Sequence, residues 1–189
     1  MRNSIINVSG LLLGAIVITA IAFLFANSSR LEPIVKAGEP AKENELSTIV
    51  QMQFMRPSQM EAAGRRFPVV YVPFGCIEWH GRQNPVGLDA VKAHEQLVGL
   101  ARKAGGVVYP PVFFGCGGGH GDFPYSYMVE HEHLIEITAT LLAGFERDGF
   151  QAAVLLAGHY PNEVGPTGFL GPAAEKHAAA GGTIKVLHL

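Results

Sequence analysis

Apolar positions along the chain fall into three kinds of run. The first, from Ser4 to Asn27, carries no charge and is almost wholly apolar over "IINVSGLLLGAIVITAIAFLF". A helix rising about 1.5 Å per residue needs about 20 residues to cross the hydrocarbon of a bilayer, and this run meets that length. It exceeds the apolar core of about 7–15 residues typical of a cleaved signal peptide, and the "FAN" that follows is a poor small-x-small cleavage site. The expectation over residues 1–26 is therefore an N-terminal transmembrane helix, a retained membrane anchor in preference to a removed signal segment. The domain beyond it is expected to be extracytoplasmic. Orientation stays open, because Arg2 lies on one side and Arg30 and Lys36 on the other. Residues 27–46 are polar, with two prolines and mixed charges, and read as a flexible linker.

The second and third kinds of run alternate from there to the end. Continuous β-branched and aliphatic stretches predict buried strands at Pro68 to Pro73, at Gln151 to Ala157 and in the final "TIKVLHL". Between them, apolar residues recur at helical spacing. Ala93, Leu97, Leu100, Ala101 and Ala104 make one face of a helix from Asp89 to Ala104, ended by "GG". Leu134, Ile137, Leu141, Leu142 and Phe145 do the same from Val129 to Phe145, with Gly149 closing the helix. A shorter helical pattern runs from Ala173 to Ala180. Val107 to Phe114 is extended but interrupted by "PP", which predicts a strand that bends or ends there. Ahead of the first strand, Ser58 followed three residues later by Glu61 is the signature of a capping box on a short helix. Strands alternating with helices imply one α/β domain over 47–189, a mostly parallel sheet covered on both faces. In such sheets ligands bind beyond the carboxyl ends of the strands.

Composition changes this picture little. The net charge of −2 and the scatter of basic residues exclude an electrostatic case for nucleic acid as partner. Cys76 and Cys116 are too few for a disulfide framework and lack C-x-x-C spacing; two small buried residues is the simpler reading. The glycine run "GCGGGHG" matches neither the dinucleotide G-x-G-x-x-G nor a P-loop. No G-x-S-x-G elbow is present to support a serine hydrolase.

The candidate chemistry sits at strand ends. "GCIEWH", "GCGGGH" and "AGH" each follow a strand-like run, so three histidine-bearing segments should gather at one end of the sheet. Glu78 and His80 are two apart, and extended backbone sends such residues to the same side. Asp89 follows after a loop, where it can cap the next helix, hold a metal, or do both. Carboxylate with imidazole suits Zn²⁺ or Mn²⁺ better than Mg²⁺ or Ca²⁺. The plainer alternative is a helix cap with two solvated loop residues. His159 would join them if its strand neighbours the first. His120, among glycines, is open to a metal, substrate or outer-shell role, or to a locally bonded turn. "EHEH" at Glu130 to His133 reads as a solvated first helical turn, because i and i+2 on a helix face apart. His94, His177 and His188 default to structural roles.

Taken together, "VVYVPFGCIEWHGRQNPVGLD" resembles the first signature of the creatininase (creatinine amidohydrolase) family, P-x-G-x-x-E-x-H-G with an aspartate eleven residues after the glutamate. "GGGHGDFPYS" resembles that family's G-x-x-x-H-x-x-F-P-G-T segment, with Tyr125-Ser126 where Gly-Thr is usual. "ERDGFQAAVLLAGHYPNE" resembles its third segment and aligns His159 and Asn162. The resemblance covers about residues 50–189. It implies a three-layer α/β fold with a centre of two divalent metal ions, Zn²⁺ or Mn²⁺, hydrolysing a C–N bond of a cyclic or formyl amide substrate. Carried over by position, Glu78 and His80 would each bind one ion, Asp89 would bridge them, and His159 would complete one shell. His120, Tyr160 and Asn162 would contact substrate or support the ligands. Relatives assemble, which implies a homo-oligomer.

Three departures accompany the resemblance. Pro161 stands where creatininase itself has a metal-binding glutamate, which argues against creatinine as the substrate. Gln83 and Asn84 replace the usual His-Leu. A late H-A-G-x-x-E-T segment is not found, so the domain is expected to be incomplete at its C-terminus. The rival expectation is a non-catalytic, membrane-anchored metal- or ligand-binding domain that lost activity with that segment.

Overall fold

A computed structural model describes residues 49–165 and 167–189, within the compact unit Thr48–Leu189. The expected anchor at 1–26 and linker at 27–46 lie outside the described residues. Among the described residues, no helix is long and apolar enough to cross a membrane.

The elements follow the hydrophobic pattern. In chain order they are α1 (Pro57–Arg66), β1 (Val69–Phe74), α2 (Leu88–Ala104), β2 (Val107–Val108), α3 (His131–Arg147), β3 (Ala152–Ala157), α4 (Leu170–Ala179) and β4 (Lys185–His188). The strands form one parallel sheet in the order β2-β1-β3-β4. β1 and β3 are central, which is why "VVYVPF" and "AAVLLA" are continuously apolar: a strand covered on both faces has no solvent side to alternate toward.

Side-chain alternation divides the core in two. Val70, Val72, Phe74, Ala153 and Leu155 share one cluster with Leu134, Leu142 and Phe145 of α3 and Leu170 of α4. α2 buries Ala90, Ala93, Leu97, Val98 and Ala101 outside that cluster and packs against β1 and β2. Helices therefore cover both faces of the sheet, giving three layers. Phe74 and Phe169 meet edge-on at 5.4 Å where α4 begins.

One local expectation holds and one is corrected. The extended run from Val107 to Phe114 ends as a strand after two residues, ahead of the prolines, and Val112 rejoins the sheet through a single bridge to Phe74. Pro110 and Pro111 lack the N–H groups a ladder requires. The capping box at Ser58 and Glu61 does not form. Pro57 already occupies the first helical position, Gln59 Oε1 accepts from the Arg56 N–H at 2.8 Å, and Glu61 instead lies 3.7 Å from Arg65 one turn on.

The register places the functional end. The last rung pairs Phe74 with Ala157, so Gly75 and Gly158 leave the sheet side by side. The first turn of α2 rests on both. A Cβ on Gly75 would stand 2.1 Å from the Ala90 nitrogen, and one on Gly158 would stand 2.1 Å from the Asp89 carbonyl oxygen. Only glycine permits this approach, and it brings Asp89 between the ends of the two central strands.

Candidate metal centre

Glu78, Asp89 and His159 are buried, at 5%, 5% and 3% exposure. One donor atom from each lies within 4.8 Å of the others, forming a group able to hold a metal ion. Each arrives by a different route: Glu78 on the segment leaving β1, His159 one residue beyond the glycine that ends β3, and Asp89 in the first turn of α2. Asp89 caps nothing there; α2 has no side-chain cap, and both of its carboxylate oxygens face imidazoles.

His80 lies with them. Its Nδ1 donates to the Glu78 carbonyl oxygen at 3.1 Å, while Nε2 faces Asp89 Oδ1 at 3.1 Å and Glu78 Oε1 at 3.5 Å. His159 is set the same way round. Its Nε2 donates to the Cys116 carbonyl oxygen at 3.1 Å, and Nδ1 faces Glu78 Oε1 at 3.1 Å and Asp89 Oδ2 at 3.2 Å. A carbonyl oxygen can only accept, so it fixes the tautomer of each neutral ring. The remaining nitrogen of each then aims a lone pair at carboxylate oxygens. Buried acceptors facing buried acceptors are costly unless protons or cations lie among them. Burial opposes charge on both Asp89 and His159. The mutual hydrogen bond and the neighbouring charges outweigh it, holding Asp89 below the usual carboxylate range and His159 above the usual imidazole value. An imidazole whose second nitrogen is held by a backbone carbonyl is the usual arrangement around a bound metal. The residues present fit a divalent cation.

The other expected residues separate. His120, half exposed, brings Nδ1 to 3.1 Å from Glu78 Oε2. Asn162 is fully buried but serves the backbone: Oδ1 accepts from the Cys116 N–H at 3.2 Å and Nδ2 donates to the Gly75 carbonyl at 3.1 Å. It ties all three strand-end segments together. Tyr160 is 74% exposed, beside His159 in a short 3₁₀ turn, Tyr160–Asn162.

Cys76 and Cys116 are buried and free. Burial, with the charges of Glu78 and Asp89, pushes the Cys76 thiol up to about 12; burial, with Glu130 and Glu132, pushes Cys116 up to about 11. The "EHEH" residues lie at the start of α3, with His131 against Glu132 at 3.2 Å.

Sequence reasoning missed the groups that act through the backbone. The Cys116 carbonyl leaves no trace in residue identity. Ser126 does leave one: its hydroxyl accepts from the Trp79 N–H at 3.0 Å, between Glu78 and His80, and it stands where the family pattern has another hydroxyl residue.

A parallel α/β domain with a buried carboxylate–imidazole group at its strand ends defines the class. Within it the chain belongs to the Creatininase family (creatinine amidohydrolase), whose sequence profile matches residues 53–185. It is 29% identical over 116 residues to 3-dehydro-scyllo-inosose hydrolase of Thermotoga maritima, covering 61% of this chain and 37% of that protein. Among solved structures it is similar to a creatininase mutant of Zn–Zn type (TM-score 0.67, 22% identity, 76% of this chain and 58% of that one). It is also similar to a manganese creatininase (TM-score 0.64, 24% identity, 75% and 58%). The chain thus spans well under two thirds of the length of these relatives.

Proposed function

We propose that this domain belongs to a metal-dependent amidohydrolase that opens a C–N bond of a small cyclic or formyl amide. The observation that carries the reading is the pair of tautomer-fixed imidazoles, His80 and His159, aimed at the shared carboxylates of Glu78 and Asp89. Asp89 gives one oxygen to each imidazole side, which supports its reading as the bridge between two ions, with His80 on one side and His159 and Glu78 on the other. Divalent cations such as Zn²⁺ or Mn²⁺, held there, would polarise a carbonyl and lower the pKa of a water toward neutrality.

The chain's own residues prepare that chemistry. The carbonyls of Glu78 and Cys116 hold the proton of each neutral ring on the far nitrogen, leaving Nε2 of His80 and Nδ1 of His159 as the atoms to face a cation. The burial of Glu78, Asp89 and His159 limits screening by water and strengthens each charge interaction among them. Asn162 keeps the segments carrying Cys116 and Glu78 at fixed distance from His159. Tyr160 and His120, more exposed than the ligands, stand where a substrate would meet the site.

The uncharged run from Ser4 to Asn27 supports a tether that holds the domain at a membrane; retention of the chain in the pellet after alkaline carbonate extraction tests it. For the reaction, the test is elemental analysis of the purified full chain followed by a substrate panel. The panel includes a formyl amide, creatinine and 3-dehydro-scyllo-inosose, the last two from the names of relatives. Bound Zn²⁺ or Mn²⁺ that is lost in Glu78→Ala and Asp89→Ala, together with metal-dependent hydrolysis of a panel member, is expected. Metal content below one equivalent and indifferent to both substitutions would overturn the proposal.

A further inference from the structure

Three imidazoles surround the two carboxylates, but they are not held alike. His80 and His159 each have the nitrogen away from the carboxylates bonded to a backbone carbonyl. His120 does not. Its Nδ1 meets Glu78 Oε2 at 3.1 Å, and Nε2 has no hydrogen-bond partner among the described residues. With nothing to reserve its proton for Nε2, a neutral His120 carries that proton on Nδ1, where a carboxylate accepts it. We infer that His120 is a positioning residue: its Nδ1–H holds Glu78 Oε2, so that Oε1 is presented to the cation site beside His159 and Asp89.

The loop bearing His120 is built to deliver it. Gly117, Gly118 and Gly119 have φ of +78°, +82° and +71°, conformations that bend the chain back after Cys116. The loop is then clasped to the segment carrying the ligands. Tyr127 N–H donates to the Ile77 carbonyl at 2.9 Å and Trp79 N–H to Ser126 Oγ at 3.0 Å, while Gly115 and Met128 close its base as a bridge. Phe123 N–H returns to the His120 carbonyl at 3.0 Å, and the Phe123 ring stands edge-on to the imidazole at 5.9 Å. His120 is thereby fixed on the side of Glu78 opposite to His159, since the two rings take different oxygens of the same carboxylate.

This inference rests on the metal reading, and the experiment separates the two. Zn²⁺ is titrated calorimetrically into the chelator-treated full chain and three variants. Asparagine places an N–H close to the position of imidazole Nδ1, whereas glutamine reaches the position of Nε2. His120→Ala and His120→Gln should weaken Zn²⁺ about 10–100-fold, the usual cost of losing a group that orients a ligand, and His120→Asn should restore most of the affinity. The visible spectrum of bound Co²⁺ should keep its band pattern in His120→Asn, because the ligand set is unchanged. Unfolding midpoints of the metal-free variants should match, since His120 is half exposed. Zn²⁺ affinity unchanged in His120→Ala, or a His120→Asn variant as weak as the alanine with an altered Co²⁺ spectrum, would overturn the positioning role. Failure of the unsubstituted chain to bind Zn²⁺ would overturn the metal reading, and this inference with it.

Discussion

Glu78 and Glu146 both sit against histidine, yet only one of them is placed to bind a metal. Glu146 on α3 accepts from His177 Nε2 of α4 at 2.8 Å with one oxygen. Its other oxygen accepts from the Thr183 N–H at 2.9 Å and from the Thr183 hydroxyl. Donors and acceptors balance, and the result is a structural clasp joining α3, α4 and the approach to β4. Around Glu78 the balance fails. Backbone carbonyls occupy the N–H of both His80 and His159, a second carboxylate shares the space, and Glu78, Asp89 and His159 are buried. Proximity of histidine to glutamate therefore does not identify a metal site. An excess of buried acceptors with fixed tautomers is what makes the Glu78 group fit a cation.

The comparison is broken most directly by removing one partner from each cluster. Asp89→Ala should lower metal affinity by more than the about 10–100-fold that loss of an outer-shell partner costs, whereas Glu146→Gln should leave it unchanged. Equilibrium dialysis with elemental analysis checks both. Next in size is the seat of Asp89. Gly158→Ala forces a methyl group against the Asp89 carbonyl, which should destabilise the domain by about 1–3 kcal/mol, measured by urea unfolding, and reduce metal retention as well. No comparable loss is expected at Gly149, where nothing lies within 4 Å of an added Cβ, beyond the strain of its positive φ.

Smaller effects sharpen the contrast. Tyr125 has φ +64° and is 63% exposed, so the side chain returns little packing for its left-handed backbone. Tyr125→Gly should raise stability by up to about 1 kcal/mol, read from the unfolding midpoint, with metal binding preserved. At Glu146, the hydrogen bonds from Thr183, followed by His177, hold the carboxyl below its usual range. A lowered folded-state pKa stabilises the fold fully above the unfolded carboxylate value and loses that contribution as pH falls through the folded value. The stability difference between the unsubstituted chain and Glu146→Gln should therefore be greatest near neutrality and shrink in acid, below about pH 4. A difference that does not vary with pH would contradict the clasp.

Much of the fold was legible because its elements bury continuous or periodic surfaces. The strands at β1 and β3 and the helices at α2 and α3 announce themselves in "VVYVPF", "AAVLLA" and the spacing of Leu134, Leu142 and Phe145. Glu78, His80 and His159 were legible for a related reason: polar residues placed directly after buried strands collect at one end of a parallel sheet. Groups that act through the backbone were hidden. Nothing in the sequence singles out Gly75 and Gly158; their role depends on α2 resting on them. The Cys116 carbonyl has no signature at all. Asn162, aligned with a family motif, gave no hint that its amide would tie the three strand ends together and not face a ligand. The early end of β2 was legible as well, because two adjacent prolines supply no N–H to a ladder.

The central claim is that divalent ions lie among Glu78, His80, Asp89 and His159. Anomalous diffraction at the zinc edge, from crystals of the Zn²⁺-loaded protein, tests it most directly. The account predicts two peaks within the usual Zn–N and Zn–O distances of about 2.0–2.2 Å, one beside His80 and one beside His159, with Asp89 touching both and the Glu146–His177 clasp bare. Density only at the clasp or at surface carboxylates, with none within reach of Asp89, would contradict it.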